Sequence, residues 1–163
     1  MAIFDVTDVS NPVELHKVVI GDRGTDSEVL SDHKAFLFDR EKGLLVLPMT
    51  LAEIPNKTDA MEGRWPKYGE FTFQGAYVFG VSLDGGFALR GRITHDDSGE
   101  AAKKSGYWYG SSGNTVRRSL YIGNVLYTIS NNKIKANSLS DLSELKQLVM
   151  NTGAEQDYPT LYV

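Results

Sequence analysis

The side chains that could do chemistry fall in three places. The first is a loop in which Asp22, Asp26, Glu28, Asp32 and His33 stand within a dozen positions. Several carboxylates in one loop offer the oxygen donors that a hard cation prefers, so calcium is the ion this loop would take. The spacing is not that of an EF-hand, whose ligands alternate toward a fixed final Glu. A competing reading needs no ion. In it Asp22 and Asp26 cap turns, Arg23 neutralises them, and His33 is a hydrogen-bonding residue beside the strand that follows.

The second place is His95-Asp96-Asp97. Together with His33 it would set two imidazoles on one rim, and a His/Asp cluster can bind a transition metal or exchange protons. The competing reading is a solvated loop. His16, the remaining histidine, lies mid-strand and is expected to face an edge or solvent. The third place is aromatic: Trp65, Tyr107, Trp108 and Tyr109. Such residues on loops stack on sugars or clasp a partner strand, or they simply cover strand edges.

Several chemistries are excluded. Ser111-Ser112-Gly113 is not the Gly-x-Ser-x-Gly elbow of a nucleophilic serine, and neither a Walker A sequence nor a dinucleotide fingerprint occurs. With no cysteine there are no disulfides, thiolate zinc sites or cysteine nucleophiles. A formal charge of −4 leaves no basic excess, which argues against a nucleic-acid partner. No apolar run approaches the ~20 residues of a membrane-spanning helix, and Leu44-Leu45-Val46-Leu47, the strongest, is of strand length. The start, Met1-Ala2-Ile3-Phe4-Asp5-Val6, has neither a basic region nor an apolar core of a signal peptide. It reads as the inside of a strand, so the chain is expected to continue a larger parent.

The elements that must position these residues are strands. The dominant period is two, and candidate strands cover 2–6, 14–20, 34–39, 43–51, 71–83 (with a bend at Gly75), 87–95, 116–123, 125–130, 133–137 and 144–150. Asp39-Arg40-Glu41-Lys42-Gly43, Asp84-Gly85-Gly86, Gly123-Asn124 and Asn131-Asn132 are hairpin turns between them.

Internal similarity decides how the strands assemble. Ile3-Phe4-Asp5-Val6-Thr7-Asp8-Val9-Ser10 leading to Glu14-Leu15 matches Asn137-Ser138-Leu139-Ser140-Asp141-Leu142-Ser143 leading to Glu144-Leu145, and Val78-Phe79-Gly80-Val81-Ser82-Leu83-Asp84-Gly85-Gly86 leading to Leu89 is a looser third copy. The hairpin of 34–38 and 44–48 parallels that of 118–122 and 125–130. The recurring module is a four-stranded antiparallel meander. The fold class is therefore all-β, a partial β-propeller of about two and a half four-stranded blades, in preference to an ordinary sandwich. Residues 1–163 form one partial propeller domain. Residues 1–21 form a half blade, 32–95 a full blade with a charged insert at 54–69, 116–150 a second full blade, and 151–163 a tail able to add one strand.

These residues also resemble a family. Phe4-Asp5-Val6-Thr7-Asp8-Val9-Ser10-Asn11-Pro12, Gly21-Asp22-Arg23-Gly24-Thr25-Asp26-Ser27-Glu28, Asp32-His33-Lys34-Ala35-Phe36-Leu37-Phe38 and Ser119-Leu120-Tyr121-Ile122-Gly123 are similar to the β-propeller domain of predicted secreted proteins of archaea and some bacteria, distantly related to WD repeats. The resemblance implies the C-terminal part of a longer, extracytoplasmic protein, and it carries no established activity.

Two and a half blades cannot encircle an axis, so self-association through blade faces or edge strands is expected. The leading functional expectation is a binding or scaffold module with an envelope protein or glycan as partner. The alternative is a hydrolase or lyase acting on polysaccharide or peptide, with His33, His95 and carboxylates converging on the channel.

Overall fold

The computed structural model describes residues 1–56, 61–62, 65–96 and 113–150. In chain order the strands are β1 (Ala2–Asp5), β2 (Val13–Lys17), β3 (Leu37–Asp39), β4 (Leu44–Glu53), β5 (Met61–Glu62), β6 (Trp65–Pro66), β7 (Glu70–Ser82), β8 (Gly86–Ile93), β9 (Arg118–Ile122), β10 (Val125–Ile129), β11 (Lys133–Ser138) and β12 (Glu144–Val149). Two 3-10 turns, Glu28–Leu30 and His33–Ala35, precede β3, and no α-helix occurs among the described residues.

β1 and β2 form a hairpin. Two antiparallel sheets of four strands follow, ordered β3-β4-β7-β8 and β9-β10-β11-β12. The short β5–β6 hairpin lies inside the insert between β4 and β7, where alternation had indicated no strand. Each of the ten segments read as strands from alternation is a strand, with ends moved by a few residues. The largest shifts are three residues, at the end of β2 and the start of β3. Asp32 caps a 3-10 turn, its carboxylate accepting from the backbone N–H of Lys34 at 2.9 Å, so residues 34–36 are taken out of the strand.

The recurring turns hold by the chemistry their sequence announced. Asp5 accepts from the backbone N–H and hydroxyl of Thr7, Asp8 from those of Ser10, and Asp141 from those of Ser143, all at 2.6–3.1 Å. Each is an Asx turn that folds two polar residues back on the chain and launches the next strand.

The strongest apolar run becomes β4 because that strand is buried on both faces. Leu44 and Val46 point into a core shared with Ala76 and Val78 of β7, Ile93, Val116, Leu126 and Leu139, which joins the two four-stranded sheets. Leu45, Leu47, Met49 and Leu51 point the other way, into a second core with Tyr77 and Phe79, edged by Ile20 and Val29. Gly75 permits the end of β8 to close over β7. A Cβ there would lie 2.2 Å from the carbonyl oxygen of Ile93.

Candidate functional site

One concave feature built by these elements is apolar. After β2 the chain leaves its hairpin and runs alongside the second half of β4. Asp26 and Thr50 exchange backbone hydrogen bonds of 2.9 Å, the Thr25 hydroxyl donates to the carbonyl of Ala52 at 3.0 Å, and the Ser27 hydroxyl donates to that of Pro48 at 2.5 Å. The polar side chains of the loop thus turn onto backbone, Ile20 and Val29 pack on the core, and Val19 and Leu30 are left facing outward. Between this loop, Met1 and β4 lies a groove of about 400 Å³, lined by Val19, Ile20, Leu30, Phe36, Leu47 and Met49 among others. Val19 is 78 % exposed and Leu30 82 %, large values for aliphatic residues.

Polar side chains elsewhere join one sheet to the next. His95, just after β8, is fully buried. Its Nδ1 lies 2.9 Å from the hydroxyl of Ser130 and its Nε2 2.8 Å from that of Thr128. The Ser130 hydroxyl donates onward to the carbonyl of Lys133, so the network places the imidazole proton on Nδ1 and has Thr128 donate to Nε2. The Lys133 ammonium donates to the carbonyl of His95 at 3.2 Å. Beside it, the Gln74 side-chain amide from β7 donates to the carbonyl of Val116 at 3.2 Å and accepts from its N–H at 3.1 Å, imitating a strand partner. Farther along, the hydroxyl of Tyr121 in β9 donates to Asp39 at the end of β3, and Arg90 of β8 donates to the carbonyl of Leu139. The Tyr121 bond holds the Asp39 carboxyl below its usual range, and the same bond raises the tyrosine.

His16 occupies the corresponding place between the first hairpin and the second sheet. As expected of a residue facing an edge, it is half-exposed on β2, and its Nε2–H donates to the carbonyl of Leu83 at 2.6 Å with the ring over Gly86, where a Cβ would approach within 2.8 Å.

The carboxylates of the first loop are engaged separately. Asp22 accepts from the backbone of Ile54 at 2.8 Å, Asp26 from Ser27 at 2.8 Å, and Asp32 from Lys34. Glu28 lies 3.6 Å from Arg117 and Asp32 2.6 Å from Arg118. No group of three His, Asp or Glu side chains placed to hold a metal ion occurs among the described residues. His33 is exposed on its 3-10 turn while His95 is sealed in the core, so the two do not open on one surface. Asp96 is half-buried beside His95, its N–H donating to the hydroxyl of Thr94 at 3.0 Å. Trp65 stands 70 % exposed on β6. Asp97, Tyr107, Trp108, Tyr109 and the segment 151–163 lie outside the described residues.

Three four-stranded or half-built meanders, packed face on face and linked at equivalent points, have the form of successive propeller blades. A family model described as "Beta propeller domain" matches residues 1–142. The chain belongs to the beta propeller domain family. Neither a search of curated proteins nor a search of solved structures finds a match.

In propeller terms the sheet β3-β4-β7-β8 is one blade and β9-β10-β11-β12 the next, while β1 and β2 correspond to the last two strands of a blade. The Asx turn after β1 and the one after β11 mark that correspondence. The groove is the feature that the reading of titratable residues missed. Its signal was present as two aliphatic runs, Val18-Val19-Ile20 and Val29-Leu30, bracketing a polar loop, together with Phe36 on a strand otherwise read only as inner.

Proposed function

We propose that this chain is a binding or scaffold module of an extracytoplasmic β-propeller protein, engaging an envelope protein or glycan and associating with further copies of itself through the faces of its end blades. One observation carries the reading. Histidine, glutamine and hydroxyl side chains that could assemble a reactive centre are engaged in joining blades, while apolar surface stays open at the ends. On the last blade the register aligns Leu120 with Tyr127 and Ile122 with Val125, and Leu148 with Ile134 and Ile129, on the face away from the second blade. Of these, Ile122 is 66 % and Leu148 60 % exposed. The extracytoplasmic placement rests on the resemblance of its motifs to predicted secreted proteins. No helix among the described residues is long and apolar enough to cross a membrane.

The test has two parts. Sedimentation velocity at rising concentration is expected to show reversible association, and a monomer throughout would remove the self-association. Mixed with isolated envelope polysaccharide and envelope protein, the chain is expected to co-sediment with one of them and leave it intact. Release of reducing ends or new amino groups would replace the binding reading with a hydrolytic one.

A further inference from the structure

Where the two four-stranded blades meet, a charged cavity opens at the end of the sheets that carries the tight turns. It holds about 320 Å³ and is lined by Lys42 and Leu44 at the β3–β4 hairpin, Arg90 of β8, and Asn124, Leu139 and Ser140 from the turns of the last blade. Both of its walls are whole four-stranded sheets.

Two local devices bring cations to it. The first is a bulge in β8. Val78 pairs with Gly91 and Phe79 with Leu89, so Arg90 is the extra residue without a partner on β7. A bulge re-aims a side chain that plain alternation would send elsewhere. The stem of Arg90 crosses Gly80, its Cδ 3.7 Å from where a Cβ would stand, and the guanidinium donates to the carbonyl of Leu139 in the next blade. That bond fixes the group and uses one of its several donors. The second device is the turn Asp39–Gly43. The backbone N–H of Lys42 donates to the Asp39 carboxylate at 2.8 Å, and Gly43 takes a φ of 54°. The Lys42 ammonium lies 5.3 Å from the centroid of the Tyr121 ring in β9, while the tyrosine hydroxyl donates to Asp39. Neither Lys42 nor Arg90 forms a salt bridge among the described residues. In a chain of formal charge −4, two such cations beside one cavity make a local field that an anion would complete.

We infer that this inter-blade cavity is a binding site for a sugar acid, a hydroxylated ring bearing a carboxylate. The inference rests on the binding-module reading and names the glycan chemistry for one of its surfaces. Arg90 and Lys42 would take the carboxylate, the planar fork of Arg90 setting its orientation. Asn124 and Ser140 suit ring hydroxyls, and Leu44 and Leu139 close the base against a C–H face. The volume stands at the low end of the range of about 300–1,000 Å³ for small-molecule sites, which fits a single sugar unit.

The test titrates the isotope-labelled full chain with sodium glucuronate and follows backbone amide shifts. Saturable shifts are expected at Asn124 and Ser140, with glucose and acetate each binding at least tenfold more weakly. Arg90→Gln and Lys42→Gln each remove a charge from an exposed residue, and each is expected to weaken glucuronate about tenfold or more. Asn124→Asp, of nearly the same shape, sets a carboxylate in the cavity and is expected to do the same. An unchanged urea midpoint verifies that each variant keeps its fold. Absence of saturable shifts, or equal binding by Arg90→Gln and Lys42→Gln, overturns the proposal. Equal binding of acetate makes this a general anion site and overturns the sugar assignment, as does tighter binding of a triglutamate peptide. Failure of glucuronate with co-sedimentation on envelope polysaccharide or protein retained removes this site alone, whereas failure of both removes the module reading with it.

Discussion

Several buried polar residues do their work as couplers between sheets. Gln74 is the clearest case: it is 6 % exposed, and its amide satisfies both backbone groups of Val116. Replacing it with leucine keeps the volume and strands a buried donor and acceptor. Gln74→Leu is expected to lower stability by about 2–3 kcal/mol in urea unfolding, with the native circular dichroism unchanged. Gln74→Glu tests the same point more finely, because a carboxylate can accept from the Val116 N–H but cannot donate to its carbonyl. None of this was legible from residue type. A glutamine in an alternating strand, or a histidine after one, reads the same whether it faces solvent or a neighbouring backbone, and only the packing of the next sheet decides.

At the level of the element, the strands were legible and their ends less so. Period two located β4, β7 and β8 because alternation and apolar content agreed there, and the doubly buried β4 announced itself as an unbroken aliphatic run. β3 was overextended because Asp32 and His33 read equally well as a strand entrance and as a capped turn. The Asx turns were legible in full, since a side chain bonding two residues onward is a local event. They also make a pH prediction. Bonds from Thr7, Ser10 and Ser143 hold Asp5, Asp8 and Asp141 below the ordinary carboxylate range, as Tyr121 does Asp39. A depressed carboxyl binds its proton less readily folded than unfolded. Its contribution is therefore present above the unfolded value of about 3.9 and is lost as pH falls through the lower folded value. The melting temperature is expected to be level across neutral pH and to drop in acid below about pH 4. Asp39→Asn should flatten part of that drop and also remove Tyr121's share of the alkaline loss, which begins near the unfolded tyrosine value of about 10 and is complete once pH passes the raised folded value.

For the whole molecule, the sheet count and order followed from internal similarity, and the exposed end faces followed from the count. The groove did not, because it is lined from three non-adjacent segments whose meeting depends on the loop after β2 turning along β4. The open face of β9–β12 makes its own prediction. Ile122→Lys with Leu148→Lys changes two exposed side chains, so folding stability is expected to stay within about 0.5 kcal/mol for each. The dissociation constant for self-association measured by sedimentation is expected to rise at least tenfold. An unchanged constant would move the contact to the opposite end of the chain.

The ordering of these contacts along the polypeptide sets a timetable for its synthesis. β9 and β10 meet across a two-residue turn, so that hairpin can close soon after it emerges from the ribosome. The β1–β2 hairpin emerges ahead of the sheet it packs against: His16 must wait for Leu83, 67 residues behind it. At roughly 5–20 residues per second that interval lasts roughly 3–13 s. Throughout it this hairpin carries an unclad aliphatic side past whatever chaperones are at hand.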